Sequence, residues 1–185
     1  MSRWALVAFA ALSFVGVGAQ AAEPAATSPK AVHPAWTKKL FFGGGIGLTF
    51  GSASSVYIAP LVGYHVIPRV DVGIQPFYRY ADYDLYGTKT KTHDYGTDLF
   101  ARVHLVARVF AEGRYEWISH EYVQSGTATA RRSDSLWMAG AGYSVAAGPA
   151  SIYVSALYTF SYDENDPYRA YDSPWIVQAG VVVGF

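Results

Sequence analysis

Taken every second residue back from its end, the chain carries Phe185, Val183, Val181, Ala179, Val177 and Trp175 on one face, and Gly184, Val182, Gly180, Gln178 and Ile176 on the other. Side chains of a strand point alternately to opposite sides. The first face is therefore wholly apolar and bounded by aromatic rings, while the second is smaller and mixed. A tilted strand of this length crosses a bilayer. Similar alternation recurs in segments 40–50, 55–65, 69–81, 94–106, 108–119, 134–146, 150–162 and 174–185.

The middle segments show the two faces clearly. Segment 69–81 sets Val70, Val72, Ile74, Pro76, Tyr78 and Tyr80 against Asp71, Gly73, Gln75, Phe77 and Arg79. Segment 94–106 sets Leu99, Ala101 and Val103 against Asp98, Phe100, Arg102 and His104. Segment 108–119 sets Val109, Ala111 and Tyr115 against Glu112, Arg114 and Glu116. A charge facing lipid near the bilayer midplane costs about 2–4 kcal/mol, so the charged faces are expected to point inward. The connections at 65–69, 106–108 and 146–149 are short, whereas those expected at 82–93, 120–133 and 163–173 are long and polar; 51–54 is the one short connection on that second side. These features predict an all-β fold, an eight-stranded antiparallel up-and-down transmembrane β-barrel. A soluble lipocalin-like barrel is the alternative, but it would bury the apolar faces and expose the charges. An apolar strand at the chain's end has to pair with another, and closure leaves no edge in lipid.

The N-terminal part has a different character. Arg3, an apolar run from Trp4 to Val17 and Ala19-Gln20-Ala21 form the pattern of a secretory signal peptide over residues 1–21. Residues 22–39, rich in Ala and Pro, are expected as a flexible periplasmic tail, with the barrel over 40–185. The chain has no cysteine, which excludes disulfides and thiolate metal sites. Loss of Arg3 with the leader leaves 13 basic against 14 acidic residues, so nothing in the charge calls for a nucleic-acid partner.

The terminal Phe185, the Pro60-Leu61-Val62-Gly63-Tyr64 approach to a turn and the strand pattern over 40–185 resemble the OmpA and OmpX-like superfamily of small outer-membrane barrels of Gram-negative bacteria. The resemblance implies residence in that membrane, contact with its lipids including lipopolysaccharide, a monomer, and recognition of Phe185 by the barrel-insertion machinery. It carries no activity with it, because the superfamily spans adhesins, structural barrels, channels and lipid-modifying enzymes. The function expected is a structural or surface-interaction role without catalysis.

An eight-stranded barrel has room inside for side chains and little more. The expected lumenal charge network is Asp71, Arg79, Asp98, Arg102, Glu112, Arg114 and Glu116. A tight turn near residue 107 sets Arg102 opposite Glu112, and face parity allows Arg79 to pair with Asp98. Gly43, Gly45 and Gly47 are expected to leave space for rings such as Phe77 or Phe100. Phe42 and Tyr64 toward one end, and Tyr78, Tyr95, Trp117, Trp137, Tyr158 and Trp175 toward the other, suit two interfacial girdles.

The chemistry expected is sparse. His33, His65, His93, His104 and His120 are scattered over tail, turns, outer loops and lumen, so no metal site and no cofactor is expected. Outer-membrane lipid A acyl-modifying enzymes resemble this architecture, and Ser119-His120 with Ser133-Asp134-Ser135 supplies the residue types of such a site. Adjacent strand residues, however, face opposite ways. Pro60 and Pro76 fall mid-segment on the lipid-facing side, where each deletes a ladder donor. A turn centred on Pro68 sets them opposite each other, which makes them candidates for a lateral opening admitting a small apolar solute or lipid.

Overall fold

The computed structural model describes residues 36–49, 53–85, 88–106, 108–125 and 128–184. The signal-peptide segment, nearly all of the expected tail and Phe185 lie outside the described residues. A short 3-10 turn, Thr37–Lys39, leads into β1.

The strands are β1 Leu40–Thr49, β2 Ala53–Ile67, β3 Val70–Leu85, β4 Thr88–Val106, β5 Val109–Ser125, β6 Ala128–Ala147, β7 Ala150–Thr159 and β8 Trp175–Gly184. Each pairs antiparallel with its sequence neighbour, and β8 returns to β1, giving a closed eight-stranded up-and-down barrel. Gly148, at φ +64°, makes the tight β6–β7 turn before Pro149, a backbone conformation that favours glycine.

Burial is reversed relative to a soluble barrel. Leu99 is 52% exposed and Trp137 61%, and the outward faces of β2, β3, β4 and β7 present Ile58, Ile74, Val103 and Val154 in the same way. Asp98 is 1% exposed, and Arg102, Glu112, Arg114 and Glu116 are buried beside Phe77, Phe100 and Phe110. Apolar surface this extensive would drive a water-soluble protein to associate, whereas lipid solvates it at no cost. The girdle aromatics Phe42, Tyr78, Tyr95, Trp117, Trp137 and Trp175 are all exposed.

Strand lengths correct one expectation. Residues 82–93 and 120–133 are largely extensions of β3, β4, β5 and β6, with Leu85 pairing Thr88 and Ser125 pairing Ala128. An apolar face marks a strand only where lipid meets it, and these stretches, in which Thr90 and Thr92 alternate with Lys91 and His93, form strands without a continuous apolar face. His93 and His120 accordingly sit on strands. β1, β7 and β8 have 10 residues each, about a tilted membrane span, whereas β4 has 19 and β6 has 20. The β3–β6 side therefore rises past the membrane-length part of the wall. Above Tyr95 and Ser119 the β4–β5 ladder stops, while β3–β4 and β5–β6 continue as separate ribbons.

Side chains pack inside the barrel in two apolar clusters. Phe41, Leu61 and Phe100 pack together near the short-turn end, and Ala59, Phe77, Ile118, Leu136, Met138 and Leu157 pack toward the other. The rings are not housed by the β1 glycines. A Cβ on Gly63 would strike the Phe41 ring, on Gly73 the Phe100 ring, on Gly96 the Phe77 ring and on Gly142 the Phe110 ring. Gly43 and Gly45 face the β8 backbone instead, and Gly47 faces Tyr57. Each ring lies across the neighbouring strand, so the glycine it needs belongs to that strand.

Candidate functional site: the lumen and its seams

The alternation that turns apolar residues outward places all seven candidate lumenal charges inside, but they form separate groups. At the centre, Arg102 Nε donates to Glu112 Oε2 at 2.6 Å, and Arg114 donates to Glu112 Oε1, to Asp98 Oδ2 at 2.9 Å and to Gln178 Oε1 at 3.0 Å. The Arg102 guanidinium also lies over the rings of Phe100, Phe110 and Tyr153 at 4.3–5.0 Å. Each charge of this central group thus meets an opposite charge, without which its burial would be prohibitive.

Asp71 sits apart, near the short turns, held by His65 Nδ1 at 2.5 Å and His104 Nε2 at 2.7 Å. Arg79 pairs with Asp94 at 2.7 Å, not with Asp98. The β3–β4 hairpin turns immediately after Leu85, so the register places Asp94 opposite Arg79 and Asp98 opposite Gln75. With 82–93 taken as loop, the hairpin offers no turn centre from which to count. Glu116 accepts from the Tyr171 hydroxyl at 2.8 Å and 3.0 Å. Tyr171 belongs to segment 160–174, which folds over the mouth; Arg79 reaches the Ala170 carbonyl and lies 5.5 Å from the Tyr171 ring. Burial, with Glu116 nearby, holds the Tyr171 hydroxyl well above its ordinary pKa, so it remains a donor. No periodicity could have found this residue, because its segment has none.

The residues considered for acyl chemistry do not converge. His120 is lumenal and its Nε2 lies 2.9 Å from Asp134 Oδ2. Ser119 is on the other side of the strand, covered by Arg131, whose Nη1 donates to Ser119 Oγ at 3.3 Å. Ser135 Oγ accepts from Tyr115 at 3.0 Å on that same outer side. The His–Asp pair and the serine hydroxyls are thus separated by the wall. Among the described residues no group of His, Asp or Glu is placed to hold a metal ion.

Two seams in the wall are incomplete. In β2–β3, pairing runs through Ile58↔Tyr78, lapses, and resumes in the same register at Val62↔Ile74, with Pro60 and Pro76 facing each other in the gap. Loss of the pairs on both sides of the prolines is what results when their missing N–H groups point at each other; the outer ladders Gly44↔Pro60 and Pro76↔Thr97 are intact. Behind the gap, Ala59, Leu61, Gln75 and Phe77 are buried, and Gln75 Nε2 donates to the Ala59 carbonyl at 3.3 Å. In β8–β1, the pairing covers Phe41–Gly44 against Gly184–Val181 and goes no further.

No protein-family model and no curated protein matches this chain. Among solved structures it is similar to the N-terminal β-barrel domain of Pseudomonas aeruginosa OprF, with 12% identity, a TM-score of 0.51, and coverage of 80% of this chain and 98% of that one. At this identity the likeness concerns the fold: the chain has the architecture of an outer-membrane barrel domain.

Proposed function

We propose that the protein is an integral outer-membrane barrel whose role is structural or interactive at the cell surface, exerted through the β3–β6 projection. The observation that carries this reading is the combination of reversed burial with one-sided strand extension: a membrane-length wall has charges inside, and a polar double ribbon stands above it. The ribbons are built to persist. Glu121 Oε2 accepts from the His93 backbone N–H at 2.9 Å, and Asp94 Oδ1 accepts from the Glu121 N–H at 2.9 Å, where the β4–β5 ladder has stopped. Arg131 then joins Glu121 at 2.6 Å, the His93 carbonyl at 2.9 Å and the Tyr95 ring at 4.8 Å. A surface needing such fastening presents a fixed shape to whatever meets it.

The test is fractionation and surface proteolysis of producing cells. The protein is expected in the outer-membrane fraction with heat-modifiable gel migration, and external protease is expected to cut within 160–174 while leaving the extended strands whole. Recovery in the soluble fraction would overturn the reading. Acyl chemistry on lipid A is the competing function; mass spectrometry of lipid A from cells with and without the protein is expected to show the same acylation pattern. A second reading, passage of a small apolar solute through a lateral opening at Pro60 and Pro76, is supported by the lapse in the β2–β3 ladder.

A further inference from the structure

The β1–β8 ladder ends at Gly44 and Val181; the strands stay close one residue further, where a Cβ on Gly45 would lie 2.9 Å from the Ala179 carbonyl oxygen, and then part. Continued pairing would have run up to Thr49, but Gly45–Thr49 and Trp175–Gly180 do not pair with each other. Both strands remain fully paired on their other sides, β1 with β2 and β8 with β7. The separation begins at a built feature. Gly44 has φ +153°, a conformation an L side chain rarely adopts, and lies between Gly43 and Gly45. A cavity of about 350 Å³ occupies the parting. It is lined both by residues of the outer face, Ile46, Trp175 and Val177, and by residues of the lumen, Gln75, Phe77 and Gln178. It therefore borders both faces of the wall, and Tyr171, Asp172 and Ser173 of the mouth segment line it as well.

Its chemistry is uneven. The walls are chiefly apolar, while the lumenal lining includes Gln75 and Gln178, whose Oε1 and Nε2 respectively are buried with no hydrogen-bond partner among the described residues. Gln75 is 1% exposed. One atom accepts and the other donates, and a buried polar atom left unpaired is destabilising until a partner satisfies it. The charged side chains of the lining, Arg79, Arg114, Glu116 and Asp172, balance in formal charge, so the site offers no net cation to offset burial of an anion. The size lies at the lower end of small-molecule sites.

We propose that the parting between β1 and β8 is a lateral binding site for a neutral, mostly apolar molecule bearing one hydroxyl or amide group. The molecule enters from the bilayer between Ile46 and Trp175 and sets its polar group between Gln75 and Gln178. The site rests on the membrane seating proposed above. It is distinct from the proline gap, which is backed by packed side chains.

The experiment uses the mature protein in detergent micelles, with ω-bromoundecanol as probe, because bromine quenches tryptophan fluorescence on contact. Variants keeping either Trp175 or Trp137 as the sole barrel tryptophan report on the site and on a reference position two strands away. Quenching of Trp175 is expected to saturate, and that of Trp137 to rise linearly as probe dissolves in the micelle. Gln75→Leu with Gln178→Leu is expected to weaken binding of the alcohol about tenfold, the equivalent of one well-placed hydrogen bond, and to leave bromoundecane unaffected. The anionic ω-bromoundecanoate is expected to bind more weakly than the alcohol. Gly47→Leu, where a Cβ meets only Tyr57, at 3.4 Å, places a side chain in the cavity and is expected to weaken saturable quenching while retaining heat-modifiable migration. Equal, non-saturating quenching of both tryptophans, or no effect of Gly47→Leu, overturns the site. Protection of the amides of 45–49 and 175–180 equal to that of 41–44 overturns it as well. Failure to fold into micelles would instead overturn the membrane reading.

Discussion

Arg102 stands directly opposite Glu112 across the β4–β5 ladder, and its guanidinium Nε lies 2.6 Å from a Glu112 oxygen. Glu112 is shared with Arg114, so it offsets two buried cations at once. Glu112→Ala is expected to destabilise the barrel by about 3–5 kcal/mol, because both guanidiniums lose their shared partner in a dry interior. Lys91→Ala, on the exposed side of β4, is expected to change stability by less than about 0.5 kcal/mol. Urea-unfolding midpoints of both variants in micelles check the contrast, and similar midpoints would show that the central cluster does not hold the barrel.

Gly63 lies under the Phe41 ring, whose atoms are the nearest neighbours of any added Cβ. Gly63→Ala is expected to cost about 1–3 kcal/mol through overpacking. Adding Phe41→Leu should recover most of that loss, since the obstruction is a side chain and not backbone. The same double substitution at Gly140 has no counterpart, because there the obstruction is the β7 backbone.

At the proline seam, Pro60→Val with Pro76→Val supplies two ladder donors that the wild-type chain lacks. Each net hydrogen bond contributes about 0.5–1.5 kcal/mol, so thermal stability should rise. Amide exchange at 58–62 and 74–78 is expected to be faster than in the flanking strands of the wild type and to slow in the double variant. Wild-type protection matching the flanks would remove the lateral opening there.

The clasp between the two ribbons is separable from the barrel. Glu121→Ala removes an acceptor from the His93 N–H and from Arg131, so amides of 120–133 should exchange faster, while the urea midpoint of the barrel stays within about 0.5 kcal/mol of wild type.

Segment 160–174 is fastened to β6 by Asp166, which accepts from Arg132 Nη1 at 2.7 Å and from the Tyr168 N–H at 2.9 Å. The Tyr168 N–H, followed by Arg132, holds the Asp166 carboxyl below the ordinary aspartate value. A depressed pKa means that the fastening is present above the ordinary value near pH 4 and is lost as pH falls through the lower folded one. Proteolysis of 160–174 by an acid-active protease should accelerate below about pH 4, and Asp166→Asn should show that faster cutting with its acid dependence reduced.

Pairings next to a short turn are legible in the sequence, and those beyond a turn hidden in polar residues are not. Arg102 and Glu112 flank a turn near residue 107, so counting outward pairs them correctly. For Arg79, face parity alone allows Asp98, because with 82–93 taken as loop there is no turn centre to count from; Thr88, Thr90 and Thr92 continue a strand, and in the resulting register the partner is Asp94. Face assignments rest on the two-residue period alone, and they hold on β3, β4, β5 and β8 because a slip of one residue would put charges into lipid.

By itself, the sequence determined the class of fold, the strand number and which side chains enter the lumen, since alternation is a local property with a large penalty for error. The tertiary structure decided how far the barrel closes and what reaches into it. Closure joins β1 to β8, the strands farthest apart along the chain, and no turn sets their register; their parting above Gly44 depends on how eight tilted strands meet in space. Tyr171 enters the lumen from an irregular segment, and Gln75 and Gln178 line one cavity from strands on different sides of β1. No sequence interval encodes such meetings, because they are produced by curvature accumulated over the whole wall.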